Sequence, residues 1–201
     1  FGRSEPPTGP YTHMADLAAL MDGLTLDRAA IVGLSMGGGV AIDFALAHPE
    51  RVSALVAVDA TLDGFRWTID WDLRVRERSL DEIRKGWLAS ELLAWPQRDP
   101  AVAAWMAQQV GAYSGWHWRN RNPHARAEKP TMERLGEIEA PTLALAGEHD
   151  HADFRAIADI LARDIPGARL EVMSGVGHLP PMEAPDRAAR AVLAFLDEFG
   201  V

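Results

Sequence analysis

The stretch Ala29-Ala30-Ile31-Val32-Gly33-Leu34-Ser35-Met36-Gly37-Gly38-Gly39 decides the fold of this chain. A short apolar run ends in the pattern Gly-x-Ser-x-Gly, and residues 40–47 follow with helical spacing. This order predicts a strand, a sharp turn that carries Ser35, and a helix whose N-terminus points at the turn. Gly33 and Gly37 supply the small neighbours that a strained serine turn needs. Taken alone, the motif also fits a glycine-rich turn with a purely structural serine.

A serine hydroxyl becomes a nucleophile when a histidine acts as its base and a carboxylate orients that histidine. Residues 141–146 read as a buried parallel strand, and Asp150 lies in the loop that follows. Residues 168–173 predict a further strand ahead of the glycine-flanked His178. Because open α/β sheets place their sites at the carboxyl ends of parallel strands, we expect Ser35 to meet both residues.

Several segments together resemble the α/β-hydrolase-fold family, in its cap-bearing group of esterases, lactonases, C–C bond hydrolases and cofactor-free haloperoxidases. The matching segments span almost the whole chain in the order that the family shows. They are Phe1-Gly2-Arg3-Ser4, Gly33-Leu34-Ser35-Met36-Gly37-Gly38, His48-Pro49-Glu50-Arg51-Val52, Gly147-Glu148-His149-Asp150 and Gly177-His178-Leu179-Pro180-Pro181-Met182-Glu183. The resemblance implies an α/β fold with a mostly parallel sheet, flanking helices and an inserted helical cap.

The same resemblance assigns the roles in the site. It implies that Ser35 is the nucleophile, His178 the base and Asp150 the acid, and that the Met36 backbone N–H belongs to the oxyanion hole. Asp59, at the end of the predicted strand 52–59, is the alternative acid, because some relatives carry the acid there.

The implied function is a serine hydrolase that cleaves a carboxylic ester or lactone of a small, largely apolar substrate through an acyl-enzyme. No cofactor and no metal ion are expected. One alternative is a C–C bond hydrolase of a ring-cleavage product, or a haloperoxidase or perhydrolase. A second, from a different class, is a catalytically silent fragment or binding module that retains its triad by descent.

The chain is predicted to divide into a hydrolase core over residues 1–61, a helical cap over residues 62–129 and the rest of the core over residues 130–201. All seven tryptophans lie in the predicted cap. Four of them, Trp67, Trp71, Trp116 and Trp118, are candidates for lining a substrate pocket. The other three, Trp87, Trp95 and Trp105, lie in apolar periodic stretches that favour packing within the cap.

Members of the family carry several strands before the Phe-Gly-x-Ser segment, and a loop among them supplies the second oxyanion donor. The strand at residues 29–34 is therefore expected at the exposed edge of a half-sheet, where another chain could pair with it. A fragment of a longer polypeptide is the favoured explanation. The other two explanations are a truncated gene product and completion of the sheet by another chain.

The composition of the chain limits the kinds of partner and site that it can have. The formal net charge of −9 argues against general binding to nucleic acid or to an anionic membrane. The chain has no cysteine, which excludes disulfides, thiolate metal sites and a cysteine nucleophile. No apolar run reaches the length of a membrane span. A cytoplasmic location is the default expectation, and a signal peptide ahead of Phe1 stays open.

Overall fold

The computed structural model describes residues 5–69, 77–125 and 128–201. Four parallel strands form one sheet in chain order, β1-β2-β3-β4. The strands are β1 (Ala29–Leu34), β2 (Val52–Val58), β3 (Thr142–Gly147) and β4 (Arg169–Met173). The helices are α1 (His13–Gly23), α2 (Met36–Ala47), α3 (Leu80–Leu88), α4 (Glu91–Ala94), α5 (Pro100–Ala112), α6 (Trp116–Arg119), α7 (Ala152–Asp164), α8 (Pro180–Glu183) and α9 (Pro185–Glu198). Short 3₁₀ helices cover Pro49–Arg51, Pro96–Arg98 and Thr131–Glu137.

Strand β2 runs through the middle of the hydrophobic core. Its sequence is an uninterrupted run of apolar and small residues, which is typical of a parallel strand covered on both faces. Leu55 and Ala57 pack into the cluster built with α2 and α7, whereas Val56 and Val58 pack into the cluster built with α9. Successive strand residues point to opposite faces, so this alternation places a helical layer on each side of the sheet.

Strand β1 lies at one edge of the sheet, as the sequence predicts for residues 29–34. Within the part of the chain that the structure describes, it pairs only with β2. Its Val32 side chain is 50% exposed, although the surrounding run is apolar. The helix of the Ser35 motif, α2, nevertheless packs firmly, since Ile42 and Phe44 are fully buried.

Helix α7 shows how an amphipathic sequence fixes an element next to the site. Its buried residues include Phe154, Ile157 and Leu161, which recur at the spacing of one helix face. Burial of that face against the sheet holds the first turn of α7 beside the loop that carries Asp150. The helix begins at Ala152, two residues before the first apolar residue of its periodic pattern.

The segment between β2 and β3 contains α3 to α6, and its described residues form no strand. Leu92, Leu93, Val102 and Met106 bury their side chains in a separate cluster that reaches Phe154 of α7. This arrangement fits the helical insertion expected over residues 62–129, whose boundaries stay a prediction. Among the described residues, no helix is both long and apolar enough to cross a membrane.

Candidate active site

Ser35 occupies the turn between β1 and α2 with a strained backbone. Its φ of 53° and ψ of −118° lie where residues with a side chain rarely occur. A Cβ on Gly33 would lie only 2.2 Å from the carbonyl oxygen of Gly37, so the turn closes only with glycine at that position. The Ser35 N–H donates to the carbonyl oxygen of Val58 at 2.9 Å, which anchors the strained residue to β2.

His178 lies in the loop between β4 and α8 and is only 3% exposed. The Glu183 carboxylate accepts hydrogen bonds from the backbone N–H groups of Gly177 and Leu179, both at 2.8 Å. These two residues flank His178, so one side chain from α8 holds both sides of the histidine. The ring of Phe154 packs against the imidazole with its centroid 4.4 Å away.

A continuous chain of hydrogen bonds links the serine, the histidine and Asp150. The Ser35 Oγ lies 3.0 Å from Nε2 of His178, and Nδ1 of His178 lies 2.9 Å from Oδ2 of Asp150. The backbone N–H of His151 donates to Oδ1 of Asp150 at 2.6 Å. With Nδ1 donating its proton to the carboxylate, Nε2 is free to accept the serine proton. The three residues expected to meet are therefore brought together.

Asp59 lies directly behind Asp150 and is completely buried. The backbone N–H of Gly147 donates to its two oxygens at 3.1 and 3.3 Å, and one of its oxygens lies within 4.8 Å of an oxygen of Asp150. Burial raises the pKa of Asp59 far above its ordinary value, and the Asp150 carboxylate adds to the rise. Thus both candidate acids belong to one cluster, and Asp150 is the carboxylate bonded to His178.

The cluster also has the spacing of a metal site. One oxygen of Asp59, one oxygen of Asp150 and one nitrogen of His178 lie within 4.8 Å of one another, the one such group among the described residues. The same residues form a hydrogen-bonded cluster, in which Nδ1 of His178 bonds to Oδ2 of Asp150 and Asp59 accepts the Gly147 N–H. The nearby His149 instead stacks on Trp95, with ring centroids 3.5 Å apart.

The Met36 N–H lies at the start of α2, where a backbone donor has no partner within its own helix. Met36 also lines a cavity of about 410 Å³, whose described lining residues include neither Ser35 nor His178. Other lining residues come from the first turn of α1, from α2, from the segment after β2, and from the end of the insertion. They include His13, Met14, Gly39, Val40, Asp43, Thr61, Leu62, Asp63, Trp67, Asn122, His124, Ala125 and Thr131.

The charged groups of this cavity are acidic, and no lysine or arginine is among the lining residues that the structure describes. Burial raises the pKa of Asp43, and the Asp63 carboxylate raises it further, while Thr131 donates a hydrogen bond to Asp43. Burial and the neighbouring His124 lower the pKa of His13. The two imidazoles stack with ring centroids 4.6 Å apart, and the lowered pKa favours the neutral form of His13 at pH 7.

The four candidate pocket tryptophans lie in different surroundings. Trp67 lines the cavity and packs edge-on against Phe154, with ring centroids 5.1 Å apart. Trp71 lies outside the described residues. Trp116 and Trp118 lie on α6, where Trp118 packs against Tyr113, and neither lines the cavity. Lining of a substrate pocket by α6 stays a prediction.

Two carboxylates outside the predicted triad position parts of the site. Glu183 holds the loop of His178, as described above. Asp153, in the first turn of α7, accepts hydrogen bonds from the N–H and hydroxyl of Thr68 and from the N–H of Ile69, at 2.7 to 2.8 Å. The spacing of Glu183 after His178 is a local signal, whereas nothing near Asp153 in sequence indicates a partner 85 residues away.

A sequence profile described as "alpha/beta hydrolase fold" matches residues 1–185 of the chain. The chain belongs to the α/β-hydrolase fold family. The crystal structure of an enol-lactonase from Burkholderia xenovorans LB400 superposes with a TM-score of 0.81 at 26% identity, covering 98% of this chain and 77% of that one. A crystallised hydrolase from Pseudomonas aeruginosa PA01 is 30% identical, with a TM-score of 0.77 and coverage of 97% and 76%.

A carboxylesterase of Bacillus subtilis is 28% identical over 94% of this chain and 66% of its own length. A 2-hydroxy-6-oxononadienedioate/2-hydroxy-6-oxononatrienedioate hydrolase of Burkholderia vietnamiensis is 28% identical over 90% of this chain and 66% of its own length. The chain therefore spans about two thirds of these two relatives. The expected family, fold class and hydrolase class of this α/β-hydrolase are confirmed.

Proposed function

We propose that this α/β-hydrolase cleaves a carboxylic ester or lactone, with Ser35 as nucleophile, His178 as base and Asp150 as orienting acid. The observation that carries the proposal is the unbroken chain from Ser35 Oγ through His178 to Asp150, with bonds of 3.0 and 2.9 Å. Nucleophile, base and orienter within hydrogen-bond reach of one another form the arrangement that activates a serine hydroxyl. Membership of the hydrolase family supports the same assignment.

The proposed reaction proceeds in two halves. His178 takes the Ser35 proton as Oγ attacks the acyl carbon, and the imidazolium is stabilised by Asp150. The Met36 N–H donates to the oxyanion that develops on the former carbonyl oxygen. His178 then gives its proton to the departing alkoxide, which leaves an acyl-enzyme. Water, deprotonated by His178, attacks the acyl group and restores Ser35.

The cavity beside Met36 favours an uncharged acyl group. Its lining combines apolar surface from Met14, Leu62 and Trp67 with the carboxylates of Asp43 and Asp63. A carboxylate on the substrate would be repelled by these groups, whereas a neutral acyl chain can bury itself against the apolar surface. We therefore infer a small, largely apolar ester or lactone as the substrate.

Hydrolysis of a C–C bond in a ring-cleavage product is the second candidate. It is supported by the similarity to the Burkholderia vietnamiensis hydrolase, whose name describes a dioate substrate. The same triad serves that chemistry, but a dioate brings negative charge toward the acidic cavity. An ester therefore remains the first proposal.

Labelling with a fluorophosphonate tests the nucleophile. We expect intact-protein mass spectrometry to show one adduct on the wild-type chain and none on Ser35→Ala. Ser53 lies near the N-terminal end of β2, at the opposite end of that strand from the site, and provides the matched control. Ser53→Ala should label like the wild type. A folded wild-type chain without an adduct would reject the proposed function and favour a silent binding module. Initial rates on a p-nitrophenyl ester and on a ring-cleavage product then separate the two chemistries.

A further inference from the structure

Asp59 is the one buried ionisable group of the cluster that the proposed reaction does not use. It follows β2, and its backbone adopts a φ of +39°, a region that non-glycine residues rarely enter. The Asp59 N–H is held by the carbonyl oxygen of Leu145 at 2.8 Å. A strained, fully buried carboxyl group at the carboxyl end of a central strand calls for a specific role.

The contacts of Asp59 define what it can do. The Gly147 N–H supplies a donor to its oxygens, and one of its oxygens lies within 4.8 Å of an oxygen of Asp150. Two buried carboxyl groups this close together cannot both be ionised, so one of the two must be protonated. Asp150 accepts the N–H of His151 at Oδ1 and contacts Nδ1 of His178 through Oδ2, so both of its oxygens already act as hydrogen-bond acceptors. The proton therefore belongs to Asp59.

We propose that Asp59 is a positioning residue whose neutral carboxyl group donates a hydrogen bond to the Asp150 carboxylate and holds it against His178. A carboxylic acid kept neutral by its surroundings is a hydrogen-bond donor comparable to a hydroxyl group. The Asp150 carboxylate then has three donors, from His151, His178 and Asp59. The effect on turnover rests on the proposed function, whereas the protonation of Asp59 does not.

Asp59→Asn is the first test, because an asparagine amide keeps both a donor for Asp150 and an acceptor for Gly147. We expect its kcat on a p-nitrophenyl ester to stay within a few-fold of the wild type. Asp150→Asn is the contrasting variant, and loss of the orienting carboxylate should lower kcat by about 10⁴-fold. If Asp59→Asn falls as far as Asp150→Asn, Asp59 acts as an anion and the proposal is overturned.

Asp59→Leu removes the donor without inserting an alternative. We expect kcat to fall by up to about 100-fold with KM little changed, because Asp150 would no longer hold His178 in the position that the reaction needs. Loss of the donor concentrates negative charge on Asp150, which favours the protonated form of its partner His178. The acid limb of the pH–kcat/KM profile should therefore move to higher pH in Asp59→Leu and stay in place in Asp59→Asn. A folded Asp59→Leu enzyme with unchanged kcat and pH profile would overturn the positioning role.

Chemical unfolding tests the protonation without any substrate. At pH values above its ordinary pKa, Asp59 is ionised in the unfolded chain and takes up a proton when the chain folds. The free energy of unfolding of the wild type therefore falls as the pH rises. Asparagine removes this proton uptake. The ratio of the wild-type to the Asp59→Asn unfolding constant should therefore grow by about tenfold per pH unit between pH 5 and 8. The titratable groups that bear on Asp59 are Asp150, His178 and Glu183, and they are present in both proteins.

A ratio that does not change with pH would show an ionised Asp59 and overturn the proposal, even if Asp59→Leu fails to fold. If the wild-type chain hydrolyses no ester while the ratio grows with pH, the proposed function fails and the protonated Asp59 stands.

Discussion

The hydrogen bonds from Gly177 and Leu179 to the Glu183 carboxylate form a clamp on the His178 loop, and the Glu183→Ala substitution removes this clamp. In the wild type, the carboxylate accepts the N–H groups of Gly177 and Leu179, both at 2.8 Å. A hydrogen bond to a charged group contributes about 1.5–3 kcal/mol. Because Glu183 is only partly buried, solvent screens part of the stabilisation from its two hydrogen bonds. We therefore expect Glu183→Ala to lower the free energy of unfolding by about 2–4 kcal/mol.

The effect on catalysis should exceed that of a general destabilisation. The two N–H groups lie on either side of His178, so their release frees the backbone that carries the imidazole. A displacement of about 1 Å in a reacting group costs about 100-fold in rate. We expect kcat for ester hydrolysis to fall by about 10- to 100-fold, with KM changed much less, since Glu183 is not among the residues that line the cavity beside Met36.

Glu148→Ala is the matched control for this substitution. Glu148 accepts hydrogen bonds from the Ser174 hydroxyl and the Gly175 N–H, both at 2.7 Å, in the same loop but farther along the chain from His178. Steady-state kinetics and urea unfolding are to be measured on both variants under conditions where each is folded. Equal losses of kcat in the two variants, or a Glu183→Ala protein that is destabilised but fully active, would refute the clamp.

Two further predictions concern substrate charge and pH. We expect p-nitrophenyl butyrate to have a kcat/KM at least about tenfold above that of the p-nitrophenyl monoester of succinate, because Asp43 and Asp63 repel the added carboxylate. Asp63→Asn should narrow this difference in kcat/KM. Equal kcat/KM values for the two esters in the wild type would contradict the acidic cavity. Burial alone would raise the pKa of Asp153, but hydrogen bonds from Thr68 and Ile69 lower it below its ordinary value. An ionised Asp153 stabilises the fold at pH values above its pKa in the unfolded chain, and this stabilisation is lost as acid protonates the carboxylate. Asp153→Asn should therefore flatten the decline of Tm below about pH 4. The exposed control Asp159→Asn should leave that decline unchanged.

The strands and the catalytic loops could be predicted because their signals are local. An apolar run such as β2 is readable from neighbouring residues, and glycines mark the turns that follow β1 and β3. The start of α2 was harder to place. The periodic pattern begins at Val40, yet the helix begins at Met36 and includes three consecutive glycines. Tertiary contact overrides their low helix propensity, since a Cβ on Gly38 would lie 2.5 Å from the Ala60 side chain.

The contacts that refine the site are pairings between distant parts of the chain. Asp59 and Gly147 are 88 residues apart, and Thr68 and Asp153 are 85 apart. Asp59 and Asp150 each follow a predicted strand, and the family resemblance allows the acid at either place, so the sequence left both as candidates. Only the sheet order places β2 next to β3 and brings the two carboxyl groups together. The hydrogen bonds from His151 and His178 then distinguish Asp150 as the acid that is bonded to the histidine.

The first turn of α7 joins the acid of the proposed triad to the helical insertion. The Asp150 carboxylate accepts the N–H of His151, and the His151 ring in turn accepts the N–H of Asp153 at 3.2 Å. Asp153 accepts hydrogen bonds from Thr68, near the start of the insertion. Hydrogen bonds to the side chains of Asp150, His151 and Asp153 therefore connect the residue that is bonded to His178 with the start of the insertion.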